Sequence, residues 1–128
     1  MSVNVSITGS IKATDSVAGT IALSKVLTAL TTPATVFTEA SGATVGTSPT
    51  AIILPVSPTT FVYIKNTHAT QTLSVTWTPN GGASNPAVVL QPGSFIAFGE
   101  AVQATSGITA LQVTGSGAST SYEFVLAG

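Results

Sequence analysis

The sequence predicts an all-β protein, an antiparallel β-sandwich preceded by an N-terminal strand-forming arm. Three observations predict it. Apolar and polar residues alternate with a period of two in several short runs, which puts the apolar side chains of each run on one face of a strand. Gly, Pro and Asn punctuate these runs at spacings of about 8 to 12 residues, as in sandwiches and barrels. A hydrophobic content of 44% in 128 residues supports one core, and the length suits one domain.

The first run is Val3, Val5 and Ile7, alternating with Asn4, Ser6 and Thr8. Gly19 to Ser24 repeats the pattern with Ile21 and Leu23. Because Leu23, Val26, Leu27 and Leu30 also fit a helical spacing, strand and short helix both stay open over Leu23–Leu30. Thr31-Thr32-Pro33 is expected to end whatever precedes it, since proline biases Thr32 away from the helical region. The expected division is an arm or hairpin over residues 1–32 and a sandwich domain over 33–128.

Eight strands are expected in that domain: Val36–Ala40, Ala51–Leu54, Phe61–Asn66, Thr72–Thr78, Ala87–Leu90, Phe95–Phe98, Ile108–Thr114 and Tyr122–Leu126. The cleanest is Thr72–Thr78, with Leu73, Val75 and Trp77 on one face and hydroxyls on the other. Gln91-Pro92-Gly93-Ser94 has type II turn chemistry, proline pre-setting the first central dihedral and glycine taking the positive φ, and is expected to join two antiparallel strands. Asn80-Gly81-Gly82 and Asn85-Pro86 mark a longer loop, and Gly115-Ser116-Gly117 a loop tip.

Only seven side chains carry full charge: Lys12, Lys25, Lys65, Asp15, Glu39, Glu100 and Glu123. At 5% this is far below the roughly 25% of an ordinary soluble domain. Hydroxyls replace the ions, with 15 Ser and 22 Thr. Disorder is excluded by the high hydrophobicity and the net charge of −1. Three lysines and no arginine cannot neutralise a phosphate backbone, so no nucleic-acid partner is expected. Without cysteine there is neither a disulfide framework nor a thiolate nucleophile. Met1–Thr8 lacks the basic start and continuous apolar stretch of a secretory signal. No run reaches the roughly 18 apolar residues of a membrane helix, and no membrane partner is expected.

Chemistry is sparse. His68 is the one side chain whose ordinary pKa lies near neutrality, but nothing in the spacing brings a serine and an acid to it, and a solvated loop histidine is expected. Glu39, Glu100 and Glu123 offer a glycosidase its acids without the aromatic platforms of a sugar cleft. One histidine and four scattered acids make no metal-ligand pattern. No catalytic residue, cofactor or metal is therefore expected, and the protein is read as non-enzymatic. Trp77 follows Leu73 and Val75 onto the apolar face and is expected in the core. Tyr63, on the face opposite Val62 and Ile64, is the better ligand platform, with Trp77 as the other candidate.

So few charges leave strand edges without their usual lysines, which implies that other chains cover them. Short hydroxyl side chains lose little entropy when buried and bond readily across a wet interface. Val3, Val5 and Ile7 are the candidate assembly interface, on a strand able to join a neighbour's sheet.

Phe61-Val62-Tyr63-Ile64-Lys65-Asn66, then Leu73-Ser74-Val75-Thr76-Trp77, then Val89-Leu90-Gln91-Pro92-Gly93-Ser94-Phe95-Ile96-Ala97-Phe98 resembles small tailed-phage virion proteins of jelly-roll-like β-sandwich build. In those an aromatic-rich strand ending in Asn, a Thr/Val strand and a Leu-x-Pro-Gly turn recur in that order. The resemblance spans Phe61 to Leu126 and implies a structural role in a virion assembled in the host cytoplasm: capsid decoration, head fibre or tail accessory. The function expected is a decoration or cementing protein, a homo-oligomer with a trimer as its expected state, contacting the major capsid protein or other virion proteins. The alternative is a carbohydrate-binding sandwich of fibre-tip or adhesin type.

Overall fold

The computed structural model describes residues 3–14, 21–34, 36–99 and 106–128, and for the first two of these spans the backbone and its pairing. Asp15, Glu100 and Gly19-Thr20 lie outside the described residues. Ten strands follow in order: β1 (Val3–Thr14), β2 (Ile21–Ala34), β3 (Phe37–Val45), β4 (Thr50–Ala51), β5 (Phe61–Asn66), β6 (Leu73–Pro79), β7 (Val88–Leu90), β8 (Phe95–Gly99), β9 (Ile108–Gly115) and β10 (Thr120–Ala127). Among the described residues there is no helix, hence none long and apolar enough to cross a membrane.

β1 and β2 pair antiparallel in a sheet of their own. The remaining strands form two antiparallel sheets, ordered β3-β10-β5-β8 and β4-β9-β6-β7. They pack into a sandwich because each presents one apolar face. Val62, Ile64 and Leu126 from the first sheet meet Leu73, Val75, Leu111 and Val113 from the second, all essentially excluded from solvent. Each such side chain contributes about 1.5–3 kcal/mol through its burial.

All eight expected sandwich strands are present, with three corrections to the sequence reading. Ala51–Leu54 is a strand only at Thr50–Ala51, after which Ile52 still donates to the carbonyl of Leu111 at 2.9 Å. Pro55 and Pro58 lack the N–H that further ladder pairing needs. The Gln91–Ser94 turn closes as expected, with the Ser94 amide on the Gln91 carbonyl at 2.9 Å and Gly93 at φ +78. It carries the chain from one sheet to the other rather than joining paired neighbours, since β7 and β8 belong to different sheets. Finally, β2 is extended throughout Leu23–Leu30 and continues through Thr31-Thr32-Pro33, with Pro33 opposite Asn4. Proline's fixed φ is compatible with an extended chain, and a two-stranded sheet has open edges where a missing donor is tolerated.

Two bulges adjust which residues face inward. Thr78 pairs with Ala110 and Pro79 with Ile108, so Thr109 is the extra residue that lets both Ile108 and Leu111 reach the core. Tyr122 pairs with Ala43 and Phe124 with Ala40, leaving Ser41 and Gly42 opposite Glu123. Gly42 takes φ +74 there, a conformation glycine adopts without a Cβ clash.

Asn66, fully buried at the end of β5, ties several segments together. Its Nδ2 donates to the carbonyls of Gln71 at 2.8 Å and Leu90 at 3.0 Å, while its Oδ1 accepts from the His68 amide at 3.0 Å.

Candidate functional site

The strand parity that turns Val62 and Ile64 toward the sandwich core turns Phe61, Tyr63 and Lys65 to the sheet's other face, where Phe61 is itself buried with Ala127 in a second small apolar cluster and Tyr63 and Lys65 are half-buried. Register aligns other strands with them. Val125 lies between Glu39 and Tyr63, and Glu123 lies opposite Lys65, which pairs on its other side with Phe95. Glu39, Lys65 and Glu123 are the only ionic side chains among the described residues of the two sheets, and all three stand on this one outer face.

The Tyr63 hydroxyl donates to Oε1 of Glu123 at 2.9 Å. The rings of Tyr63 and Phe95 approach to 6.0 Å at a tilt of 39°. Phe95 and Phe37 are 59% and 55% exposed on the same face. Beside Tyr63 lies an open depression of ≈ 210 Å³ whose polar lining comes from Glu39, Ser41, Tyr63 and Glu123. Partial burial pushes the Tyr63 phenol above its ordinary pKa, and the hydrogen bond to Glu123 and that carboxylate's charge push the same way. The result is a site of aromatic rings and carboxylates, which suits hydroxyl-bearing or cationic groups.

The outer face of the second sheet is different. Ser74, Thr76 and Thr78 on β6 pair with Thr114, Gln112 and Ala110 on β9, and none is ionic. It can hydrogen-bond broadly but has no aromatic anchor.

Tyr63 and Trp77 do not form a joint platform. Trp77 stands on the inner side of the second sheet, as its alternation with Leu73 and Val75 predicts, packed on the core and against Phe98 at 5.4 Å and 40°. These two rings line a second depression of ≈ 290 Å³ with Pro79, Gly107 and Ile108. Val3, Val5 and Ile7 are described by their pairing, opposite Ala34, Thr32 and Leu30, which sets the three on one face of the hairpin.

His68 holds a turn. Its Nδ1 accepts from the amides of Thr70 at 3.1 Å and Gln71 at 2.9 Å, which requires an unprotonated Nδ1. Among the described residues no three His, Asp or Glu side chains are grouped to hold a metal ion. Sequence reasoning treated Glu39 and Glu123 only as hydrolase acids and passed over Phe95. The available signal was that both Lys65 and Tyr63 share a strand parity, but only pairing brings the acids to them.

The strand orders, with the first and last strands of the sandwich adjacent and most connections crossing between sheets, define an eight-stranded jelly roll. No protein-family model and no curated protein matches the chain. Among solved structures, it is similar to a chain described under "Bacillus endospore appendages form a novel family of disulfide-linked pili", at 15% identity and a TM-score of 0.49, covering 71% of this chain and 83% of that one. The present sequence contains no cysteine.

Proposed function

We propose that this protein is a non-enzymatic structural subunit that works by self-association, and specifically a small decoration or cementing protein on a virus particle. The observation that carries the reading is the β1–β2 hairpin, with strands of 12 and 14 residues that form a sheet of only two. A lone two-stranded sheet is marginal in water and gains stability by packing or by adding strands. Residues 1–32 then act as the arm and 33–128 as the body, with Val3, Val5 and Ile7 at the assembly interface.

The surface supports the same reading. It is poor in ions and rich in Ser and Thr, so it has little charge to keep copies apart and loses little side-chain entropy on burial. None of β3, β4, β7 and β8, the four sandwich edges, carries a lysine. The jelly-roll strand order agrees with the sequence resemblance to phage virion proteins, and the major capsid protein or another virion protein is the heterologous partner. Sedimentation of the full chain over a wide concentration range tests the first half, with a homo-oligomer, trimeric in the simplest case, as the expected result. Co-sedimentation with the particle tests the second. A chain that stays monomeric at every concentration and ignores the particle overturns the proposal.

The Tyr63 depression favours one other reading, a carbohydrate-binding sandwich with Tyr63 as the ring platform. Glycan-array binding by the full chain that is lost in Tyr63→Ala supports it.

A further inference from the structure

We infer that the turn built on His68 is an acid-opened latch: the neutral imidazole holds the β5–β6 loop closed against the β9–β10 loop, and protonation of the ring releases it. The latch begins with the ring's acceptor. Nδ1 of His68 takes the amide protons of Thr70 at 3.1 Å and Gln71 at 2.9 Å, two and three positions further along the chain. An Asn or Asp oxygen fills the same place when a side chain closes the turn that follows it. An amide oxygen keeps its lone pairs as the solution is acidified. An imidazole does not, since it gains its proton between about pH 8 and pH 5 and then carries a hydrogen on both nitrogens.

Protonation therefore removes the acceptor that the two amides share and sets a third N–H against them. Among the described residues neither amide has a second acceptor. Nothing around the ring offsets the new charge either. The segments that meet this loop are the Gln91–Ser94 turn and residues 115–121, and neither they nor the rest of Thr67–Thr72 contain another ionisable side chain. Further along the paired strands stand Lys65 on β5 and Tyr122 and Glu123 on β10. Tyr122 is buried in the core, and Lys65 and Glu123 lie on the sheet's other face.

The turn also joins two loops. Thr67 and His68 donate their amides to the Ser121 carbonyl at 3.1 Å each. The Thr72 amide donates to Oγ of Ser116 at 2.9 Å, and the Ser116 amide donates back to the Thr72 carbonyl at 3.0 Å. The fully buried Thr120 hydroxyl donates to Oε1 of Gln71 at 2.6 Å. Gln71 is thus tied to His68 through its amide and to β10 through its side chain. A displacement at Gln71 reaches Thr120 and Ser116, so release at His68 loosens this end of the sandwich while β6 and β9 stay paired.

Amide exchange in the full chain, followed residue by residue by NMR at about pH 8 and about pH 5 and expressed as protection so that the intrinsic pH dependence cancels, tests this. Thr70 and Gln71 are expected to lose protection by about tenfold or more on acidification, with Thr72 and Ser116 following, while Val75 and Val113 in the core keep theirs. His68→Asn supplies an acceptor at the same position that does not titrate, and is expected to keep Thr70 and Gln71 protected at both pH values. His68→Ala is expected to leave them unprotected at both. At the higher pH the imidazole nitrogen shifts are expected to place the proton on Nε2. Protection at Thr70 and Gln71 that stays within about threefold on acidification overturns the proposal, as does a proton found on Nδ1 at the higher pH. An equal acid loss in His68→Asn assigns the trigger to another group and overturns it too. So does a simultaneous loss at Val75 and Val113, which marks unfolding of the whole sandwich.

Discussion

The hydroxyl of Tyr63 on β5 and the carboxylate of Glu123 on β10 form a 2.9 Å hydrogen bond between adjacent strands. Glu123 pairs directly with Lys65, so the bond to Tyr63 runs diagonally across the sheet. It holds a carboxylate beside an aromatic ring, the feature that distinguishes this face from the hydroxyl-lined one opposite.

The bond has an alkaline signature. Tyr63 has its pKa raised above the ordinary 10.0, by burial first and then by Glu123, and Tyr122 has its own raised by burial. A phenol whose folded pKa exceeds its unfolded value holds more protons in the folded state, so its contribution to stability is full below pH 10.0 and is lost as pH rises through the folded pKa. Ultraviolet titration is expected to show both phenolates forming later than in the unfolded chain. Tyr63→Phe is expected to leave one late transition and a shallower alkaline fall in stability. Two ordinary titrations in the folded protein would contradict this.

Asn66 is expected to be among the costliest polar positions. Asn66→Ala strands the Gln71 and Leu90 carbonyls and the His68 amide loses one of its acceptors. The expected loss is about 3 kcal/mol, measured by urea unfolding, and a loss under about 1 kcal/mol counts against the network.

Thr60 shows the reverse case. Its hydroxyl is buried and has no hydrogen-bond partner among the described residues. Thr60→Val replaces that oxygen with a methyl group of similar size, and is expected to raise stability by about 1 kcal/mol. Thermal unfolding of the two chains decides the sign.

Trp77, as the single tryptophan, reports on its own packing. Its emission is expected to be blue-shifted and partly protected from quenchers because it packs on the core and against Phe98. Trp77→Ala is expected to cost about 3 kcal/mol without a change in self-association, since the ring lies on the inner side of its sheet. A fully red-shifted emission contradicts that placement.

Several features were legible before any fold was known. Alternation placed Leu73, Val75 and Trp77 on the core side, and put Tyr63 with Phe61 and Lys65 on the other side of its strand. Pro92-Gly93 announced its turn because the required dihedrals are properties of those two residues. The shortage of ions was visible as composition. These are local or additive properties, carried by neighbouring dihedrals and by counts.

Pairing was beyond such reading. β3 and β10 lie side by side with Phe37 opposite Ala127, at almost opposite ends of the sandwich sequence. Nothing in either segment names the other, because backbone ladders are chemically alike from strand to strand. The same holds for the bulge at Thr109, where a strict period of two would have turned either Ile108 or Leu111 outward. Glu39, Lys65 and Glu123 meet on one face for this reason too: their parities are written in the chain, but only packing of the two sheets selects which parity looks outward and which strands become neighbours.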